Sequence, residues 1–234
     1  MDDITISDWV LIGTTLFLGA VAMLTPAFGD GIKRWWLRPR LRITYVPEPP
    51  GSHKTRLDVR LSASQIEKRS TYYLRFAVTN DGRTQAHRCE AVLEELWHLN
   101  SQGGLEKLRT FGPISLTWGA GYDDFVEINP SRRFYCDFLT IPDEAAQATL
   151  NMFGQFVDFP TGSKPARGLV LCTRAAFYSQ PNRLAPGSYR LKVAVFSENA
   201  DPVRASFEVQ WSGQWRDDES LMMKECMVRF FSAA

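Results

Sequence analysis

The stretch YYLRFAVTNDGRTQAHRCEAVL, residues 72–93, decides the fold of this 234-residue chain. Leu74, Phe76 and Val78 alternate with residues that would point the other way. This period of two indicates a strand with one buried face. Asn80-Asp81-Gly82 follows as a strong turn signal, because Asn and Gly tolerate positive φ. A second alternating segment comes after the turn, so the stretch predicts strand, turn and strand.

The same period recurs along the chain. Apolar residues alternate, or run together briefly, in the segments 57–61, 89–99, 134–138, 169–172, 189–195 and 205–211. About seven to nine short strands separated by turns are typical of an antiparallel β-sandwich, and the long helical periods of βαβ units are absent. We therefore predict a mainly β fold, an immunoglobulin-like antiparallel β-sandwich over residues 43–212.

Two short helices are expected beside these strands. Pro142-Asp143-Glu144 places a proline and acidic residues at a helix start, which predicts a helix near 143–153. Asp217-Asp218-Glu219 predicts a second helix near 217–230, within a C-terminal helix and tail at 213–234. One side of this second helix would carry Leu221, Met222, Cys226, Met227 and Phe230. Such a stripe is either core packing or a docking surface, because Met-rich surfaces repack easily.

Two tryptophans flank a glycine turn just before this second helix. Trp211 is expected to close the core, whereas Trp215 either covers an edge of the core or is presented to a partner, as interface tryptophans are. The predicted partner contacts are Trp215, Met222, Met227 and Phe230.

Residues 9–28 carry no charged side chain and read WVLIGTTLFLGAVAMLTPAF. A helix of about 20 residues spans about 30 Å, the thickness of the hydrocarbon core of a bilayer. We predict a transmembrane helix here. A cleaved signal peptide is one alternative, since Ala20-Val21-Ala22 fits an A-x-A pattern, but the N-terminus lacks the basic residues that such peptides need. A buried soluble helix is the other alternative.

The charges around this segment predict its orientation. Basic residues follow the span and none precedes it, so the positive-inside rule predicts a single-pass inner-membrane protein. The N-terminus, residues 1–8, would lie outside, and the rest of the chain would be cytoplasmic beyond a basic juxtamembrane linker at 29–42. The residues predicted to lie at the bilayer interface are Trp9, Lys33, Arg34, Trp35, Trp36, Arg38, Arg40 and Arg42.

Small residues lie on one face of the predicted transmembrane helix. Thr15, Gly19 and Ala22 are spaced four and three apart, and small residues at this spacing let helices pack closely. The lipid bilayer and a homo-oligomer or another protein are therefore the predicted partners. Lys and Arg total 27 against 26 Asp and Glu, so the charge balance gives no reason to expect nucleic acid.

No known catalytic signature emerges from the sequence. His53, His87 and His98 have no neighbour at a metal-ligand spacing, and the chain has no G-x-S-x-G elbow, P-loop or H-E-x-x-H. We predict no catalytic, cofactor-binding or metal site, and a protein that is not an enzyme.

The four cysteines are too few for a disulfide-built scaffold. Cys89, Cys136 and Cys172 fall in apolar strands and are expected to be buried free thiols in a reducing cytoplasm. Cys226 is expected to be the exposed one. If the domain were exported, two of the cysteines could pair across the sandwich.

The stretch at 72–93 resembles a strand, turn and strand of immunoglobulin-like domains in prokaryotic surface and membrane proteins, including the CARDB group. LAPGSYRLKVAVFSE, residues 184–198, is similar to the Pro-Gly-x-Tyr strand opening late in such domains. The whole chain resembles uncharacterised single-pass bacterial proteins with such a domain after an N-terminal helix. The soluble part is longer than a plain immunoglobulin sandwich of about 100 residues, with an insertion expected between Thr140 and Arg167. The resemblance implies binding or assembly and no catalytic residues.

These features favour a membrane-anchored binding and assembly module with a cytoplasmic sandwich. A membrane effector or sensor in stress or phage defence is one concrete form of this hypothesis. An exported adhesion or envelope module is the first alternative. An enzyme whose site joins distant groups, such as Asp123, His98 and Arg132, is the second.

Overall fold

The computed structural model of the chain describes residues 11, 13–19, 36–60, 66–100, 102–108, 111–119, 124–146, 167–174 and 182–232. The chain divides into two compact units, Met1–Arg38 and Pro39–Ala234.

In the first unit, Leu11 and residues 13–19 are helical. The Thr15 hydroxyl donates to the Leu11 carbonyl at 2.7 Å, so this polar group is satisfied within the helix. The described part of the chain contains no helix long and apolar enough to span a bilayer. Much of the predicted span at 9–28 lies outside the described residues, as do the predicted interface and packing residues Trp9, Ala22, Lys33, Arg34 and Trp35.

The second unit is built from strands. In chain order they are β1 (Leu41–Thr44), β2 (Ser52–Arg60), β3 (Ile66–Asn80), β4 (Ala86–Leu99), β5 (Leu105–Lys107), β6 (Ile114–Ser115), β7 (Thr117–Trp118), β8 (Val126–Ile128), β9 (Arg133–Pro142), β10 (Leu169–Leu171), β11 (Arg183–Leu184), β12 (Gly187–Phe196), β13 (Val203–Trp211) and β14 (Cys226–Ser232). One short helix, α1 (Glu219–Glu225), precedes β14.

These strands form two antiparallel sheets. The first sheet has the order β1-β3-β9-β10-β11, with β2 also paired to β3 and β7 to β9. The second has the order β14-β13-β12-β4-β5, with β6 and β8 also paired to β4. The prediction of a mainly β protein with two antiparallel sheets, as in a β-sandwich, is confirmed.

The predicted strand, turn and strand at 72–93 is also present, and it links the two sheets. β3 belongs to the first sheet and β4 to the second, so the turn carries the chain from one to the other. Leu74, Phe76 and Val78 are all fully buried, as their alternation predicted. With Phe138 and Phe207 they belong to one continuous hydrophobic core.

β4 departs from simple alternation near Glu94. Leu93 pairs with Val193 and Glu95 with Lys192, so the register skips one residue. Such a bulge moves the following side chains to the opposite face. Leu96 is therefore buried, and Trp97, which unbroken alternation over 89–99 would place on the same face as Leu93, lies on the other face of the strand.

The predicted helix over 217–230 is wrong beyond Glu225. The Asp218 carboxylate caps the start of α1 by accepting from the Leu221 N–H at 2.9 Å, as its acidic start indicated. From Cys226 onward the chain is strand β14, which pairs with β13 along its whole length. Pairing with a preformed neighbour strand overrides a local pattern that also fits a helix.

The sandwich, predicted to begin at residue 43, begins slightly earlier, with strand β1 at Leu41. Arg42 lies in β1, and its Nε is 2.8 Å from Asp81 Oδ2. The backbone N–H of Arg40 donates to Asn80 Oδ1 at 3.1 Å. Arg40 and Arg42, expected in a juxtamembrane linker, are thus tied to the sandwich. Near the other predicted helix, residues 144–146 are helical, and 147–153 lie outside the described residues.

A ladder of charges on the second sheet predicts pH-dependent stability. Glu95 accepts hydrogen bonds from Lys107 and Lys192 at 2.5 and 2.8 Å, and these bonds lower the pKa of its carboxyl to about 2. The folded pKa lies below the ordinary value, so the contribution is present above about pH 4.5 and is lost as pH falls toward 2. Glu95→Gln should lower the free energy of unfolding by about 1 kcal/mol at pH 7 and by less at pH 3.

Urea denaturation of both proteins at the two pH values checks this, with Glu106→Gln on the exposed strand β5 as the control. An equal loss at pH 7 and pH 3 would contradict the assigned role of Glu95.

Candidate functional site

The outer face of the first sheet carries charged and aromatic side chains in a row. On β3, Tyr73 and Arg75 alternate with the buried residues Tyr72 and Leu74, so they point away from the core. In the pairing of β3 with β9, Arg75 stands opposite Asp137. The register of two strands therefore brings these two charges together.

Arg75 and Asp137 form a largely buried ion pair. Nε of Arg75 lies 2.5 Å from Oδ1 of Asp137, and the two side chains are only 20% and 9% exposed. Burial raises the pKa of the Asp137 carboxyl above its ordinary value, and the nearby arginine opposes this rise without cancelling it. A carboxylate with a perturbed pKa beside a cleft is a physical sign of a functional site.

Aromatic rings extend this row towards β2. The Arg75 guanidinium carbon lies 5.0 Å from the centre of the Tyr73 ring. The His53 ring also stacks on the Tyr73 ring, with 6.3 Å between the two ring centroids. Burial, with Arg75 as the second cause, lowers the pKa of His53. The charge of Arg75 therefore lowers the pKa values of both the Asp137 carboxyl and the His53 imidazole relative to the values that burial alone would give.

Arg75 opens into a cleft of about 390 Å³. The residues lining it are Arg75, Gly119, Asn129, Arg132, Arg133, Phe134 and Tyr135. Arg132 and Arg133 are exposed, and neither forms an ion pair with another described residue. Three arginines therefore meet one carboxylate, Asp137, which gives this cleft a local formal charge of about +2.

A fixed turn positions two of these arginines. It follows Asn129, and Ser131 adopts a positive φ of 60°. The Ser131 N–H donates to the Asn80 carbonyl at 2.8 Å, and the Asn80 N–H donates to the Arg132 carbonyl at 3.3 Å. Arg133 then begins β9. The end of β3 thus holds the backbone that presents Arg132 and Arg133.

Gly119 leaves space beside the ion pair. A Cβ at this position would lie 3.3 Å from the Tyr135 carbonyl oxygen, 3.6 Å from Asp137 Oδ1 and 3.9 Å from the Arg75 guanidinium carbon. Any side chain here would therefore occupy the part of the cleft that borders Arg75.

Compared with known proteins, the chain matches no protein-family model, no curated protein and no solved structure. Its function has to be inferred from the chemistry of its own residues.

The predicted partner contacts separate into two groups. Trp215 packs on the Tyr72 ring at 4.9 Å, and Met222 is fully buried. Phe230 packs on Phe207 at 5.3 Å. Met227 alone of the four is exposed, on the outer face of the second sheet. Three of the four thus contribute to packing within the chain.

Met227 borders a second, smaller groove of about 280 Å³. Leu99 and Leu105 border it on β4 and β5, while an ion pair between Arg190 and Glu208, at 2.5 Å, lies between these apolar residues and Met227. Two arginines, Arg190 and Arg229, and one acidic residue, Glu208, line this smaller groove, so it carries less positive charge than the cleft on the first sheet.

Of the three residues proposed for a hidden enzyme site, the two that the structure describes, His98 and Arg132, lie in or beside strands of different sheets. His98 lies on β4 in the second sheet and packs on Tyr189 at 5.1 Å, whereas Arg132 precedes β9 of the first sheet. Asp123 lies outside the described residues. Among the other histidines, His87 Nδ1 is 2.7 Å from Glu127 Oε2. The described residues contain no group of side chains arranged to hold a metal ion.

All four cysteines are free. Cys226 was expected to be exposed, and this is wrong: it is 1% exposed, because it lies at the inward-facing start of β14. Burial raises the pKa of its thiol to about 12. Burial likewise raises the thiol pKa values of Cys136 and Cys172. Cys136 and Cys226 are core groups that are unreactive at neutral pH, whereas the Cys172 residue, expected to be buried, is half-buried.

Sequence reasoning missed the Arg75–Asp137 pair. The two residues are 62 positions apart, and only the register of β3 and β9 joins them. A signal was present in each strand, since Arg75 and Asp137 are lone charges inside otherwise apolar runs. A charge in such a position needs a partner, because an unpaired buried charge is costly.

Proposed function

We propose that this chain is a non-catalytic binding and assembly module that its N-terminal segment holds at the inner membrane. In this proposal the segment at 9–28 crosses the bilayer once, with residues 1–8 outside and the β-sandwich in the cytoplasm. The sandwich recognises a ligand or partner, and copies associate in the membrane.

Exposed apolar side chains on the N-terminal helix carry this proposal. Leu11, Leu16, Phe17 and Leu18 are each between 66% and 70% exposed. Covering a large apolar side chain contributes about 1.5–3 kcal/mol, so four neighbours on one helix strongly favour an apolar surrounding. The uncharged sequence at 9–28 and the basic residues after it favour lipid as that surrounding.

The same helix offers a face for assembly. A Cβ built on Gly19 would meet nothing within 4 Å, so the space beside it is open to a second helix. Thr15 on the same face has its hydroxyl bonded to its own backbone and presents a small surface. Small residues permit close helix packing, and confinement to a membrane raises the effective concentration of copies.

An immunoglobulin-like, CARDB-type arrangement is the finer part of the proposal. Its support is the pair of antiparallel sheets joined through the turn at Asn80. Domains of this kind bind and assemble, and an effector or sensor acting on the membrane in stress or phage defence would combine such a domain with a single helix.

Membrane extraction tests the proposal. A charged residue at the centre of a transmembrane helix costs about 2.5–3.5 kcal/mol, so the double variant Leu16→Asp/Phe17→Asp should lose more than about 5 kcal/mol of membrane stability. We expect the wild-type chain to float with membranes after alkaline carbonate washing and the double variant to leave them.

The matched control is Met227→Asp/Phe231→Asp, which adds the same charges at exposed apolar positions of β14. It should float like the wild type. Release of the wild-type chain by carbonate, or flotation of the Leu16/Phe17 variant, would overturn the membrane assignment.

A further inference from the structure

We infer that the cleft lined by Arg75, Arg132 and Arg133 binds the phosphate group of a phosphomonoester. This inference rests on the binding half of the proposed function and gives that binding a chemical class.

The cleft has more guanidinium groups than acidic partners for them. Arg132 and Arg133 have no acidic partner among the described residues, although acidic side chains are as numerous as basic ones over the sandwich. Among the same residues, the only hydrogen-bond acceptor of the Arg75 guanidinium is Asp137, which Nε contacts. The terminal nitrogens of Arg75 therefore remain available to a ligand on the cleft side.

The charge and hydrogen-bonding geometry of these arginines match those of a phosphomonoester. A phosphomonoester carries a charge of about −1.5 to −2 at pH 7 and three strong acceptor oxygens. Three arginines less Asp137 leave about two positive charges, and guanidinium groups bind phosphate oxygens through paired, parallel hydrogen bonds. Asn129 adds an uncharged amide at the same rim.

The cleft also has room for an organic group beside the phosphate. The cleft, at about 390 Å³, lies within the range of roughly 300–1,000 Å³ that holds small-molecule ligands, which exceeds the need of a bare ion. Phe134 and Tyr135 are also among the residues that line it. An aromatic or sugar phosphomonoester therefore uses more of the cleft than inorganic phosphate does.

Asp137 acts against the ligand in this arrangement. Its carboxylate shares Arg75 with the incoming phosphate and repels it, since like charges at close range are unfavourable. Asp137→Asn removes the repulsion and leaves the side-chain oxygen that Arg75 contacts. A purely structural ion pair would give no gain in ligand affinity on this substitution.

The test is calorimetric titration of the full-length chain, solubilised in uncharged detergent micelles, with phenyl phosphate. We expect saturable binding with one site per chain. Arg132→Gln/Arg133→Gln should weaken phenyl phosphate binding by about 10-fold or more, because losing one charge-assisted hydrogen bond lowers affinity by about 10-fold to 100-fold. Gly119→Ala should weaken binding by narrowing the cleft, and Asp137→Asn should strengthen it several-fold.

Arg204→Gln is the matched control, because it removes one exposed arginine, paired with Glu94, from the second sheet. It should bind as the wild type does. The same titration in micelles doped with phosphatidic acid distinguishes a lipid headgroup from a soluble ligand. Competition by the doped lipid supports the lipid source, and unchanged phenyl phosphate binding supports the soluble one.

No saturable binding of either phosphomonoester, or equal weakening by Arg204→Gln and the Arg132/Arg133 variant, would overturn the inference. Its failure is separable from that of the proposed function, because micelles supply no membrane and the flotation test supplies no ligand. Flotation without phosphate binding leaves the anchored module with another ligand class.

Discussion

Replacing Phe207 by alanine should lower the free energy of unfolding by about 3–5 kcal/mol, the range for a large aromatic side chain removed from a packed core. Phe207 is fully buried, and its ring lies 4.7 Å from that of Phe138 and 5.6 Å from that of Phe76. The rings of Tyr45 and Phe230 lie 5.7 and 5.3 Å from it. Phe207, on β13 of the second sheet, thus packs against Phe76 and Phe138 of the first sheet. Its loss leaves a cavity between the two sheets.

Urea denaturation of the detergent-solubilised chain, followed by tryptophan fluorescence, measures this loss. Phe231→Ala is the matched control, since Phe231 is 48% exposed on the neighbouring strand β14. Its replacement should change the free energy of unfolding by about 0.5 kcal/mol or less, as at most surface positions. Equal effects of the two substitutions would contradict the placement of the core.

Asn80→Ala should cost about 2–4 kcal/mol, because it removes one buried and three part-buried hydrogen bonds to backbone groups. Asn80 is fully buried at the end of β3. Its Nδ2 donates to the carbonyls of Thr84 and Ile128, both at 2.8 Å, and its Oδ1 accepts from the N–H groups of Gly82 and Arg40 at 2.9 and 3.1 Å. One side chain therefore fixes the turn between the sheets and joins it to β8 and to the residues before β1.

The control for this prediction is Asn199→Ala. Asn199 also binds two backbone groups, accepting from the His87 N–H and donating to the Gln85 carbonyl, but at an exposed turn. Water replaces those bonds, so the loss should stay below about 1 kcal/mol. A cost for Asn80→Ala as small as that for Asn199→Ala would mean that the turn does not depend on its asparagine.

The strands were predictable because each signal is local. Alternation in β12 and β13 reflects one buried face per strand, and a period of two needs no knowledge of partners. The C-terminus shows the limit of this reasoning. Met222, Cys226 and Phe230 are spaced four apart, which fits a helix face, yet β13 offers a free edge and captures residues 226–232 as a strand.

The bulge in β4 shows the same limit. No feature of the sequence near Glu94 indicates the bulge, because the bulge depends on how β4 pairs with β12. Alternation carried past Glu94 therefore placed Trp97 on the wrong face. Its indole instead donates to Glu95 at 3.1 Å on the outer face.

The candidate site depends on long-range pairing throughout. Arg75 meets Asp137 through a register shift between β3 and β9, and Arg132 reaches the cleft through hydrogen bonds to Asn80. Each residue alone is an ordinary strand or turn residue. The lone charges within apolar strands indicated that partners were needed, and only the folded sheet supplies their identity.

Protease accessibility in sealed membranes tests most directly the proposal that the sandwich is held at the inner membrane on its cytoplasmic side. The full chain with a C-terminal tag is digested in right-side-out spheroplasts and in inside-out vesicles of a bacterial host. We predict that the tag and sandwich survive in spheroplasts and are removed in inside-out vesicles. Removal from spheroplasts would contradict this orientation and favour the exported binding module, and a tag found in the soluble fraction would contradict membrane attachment itself.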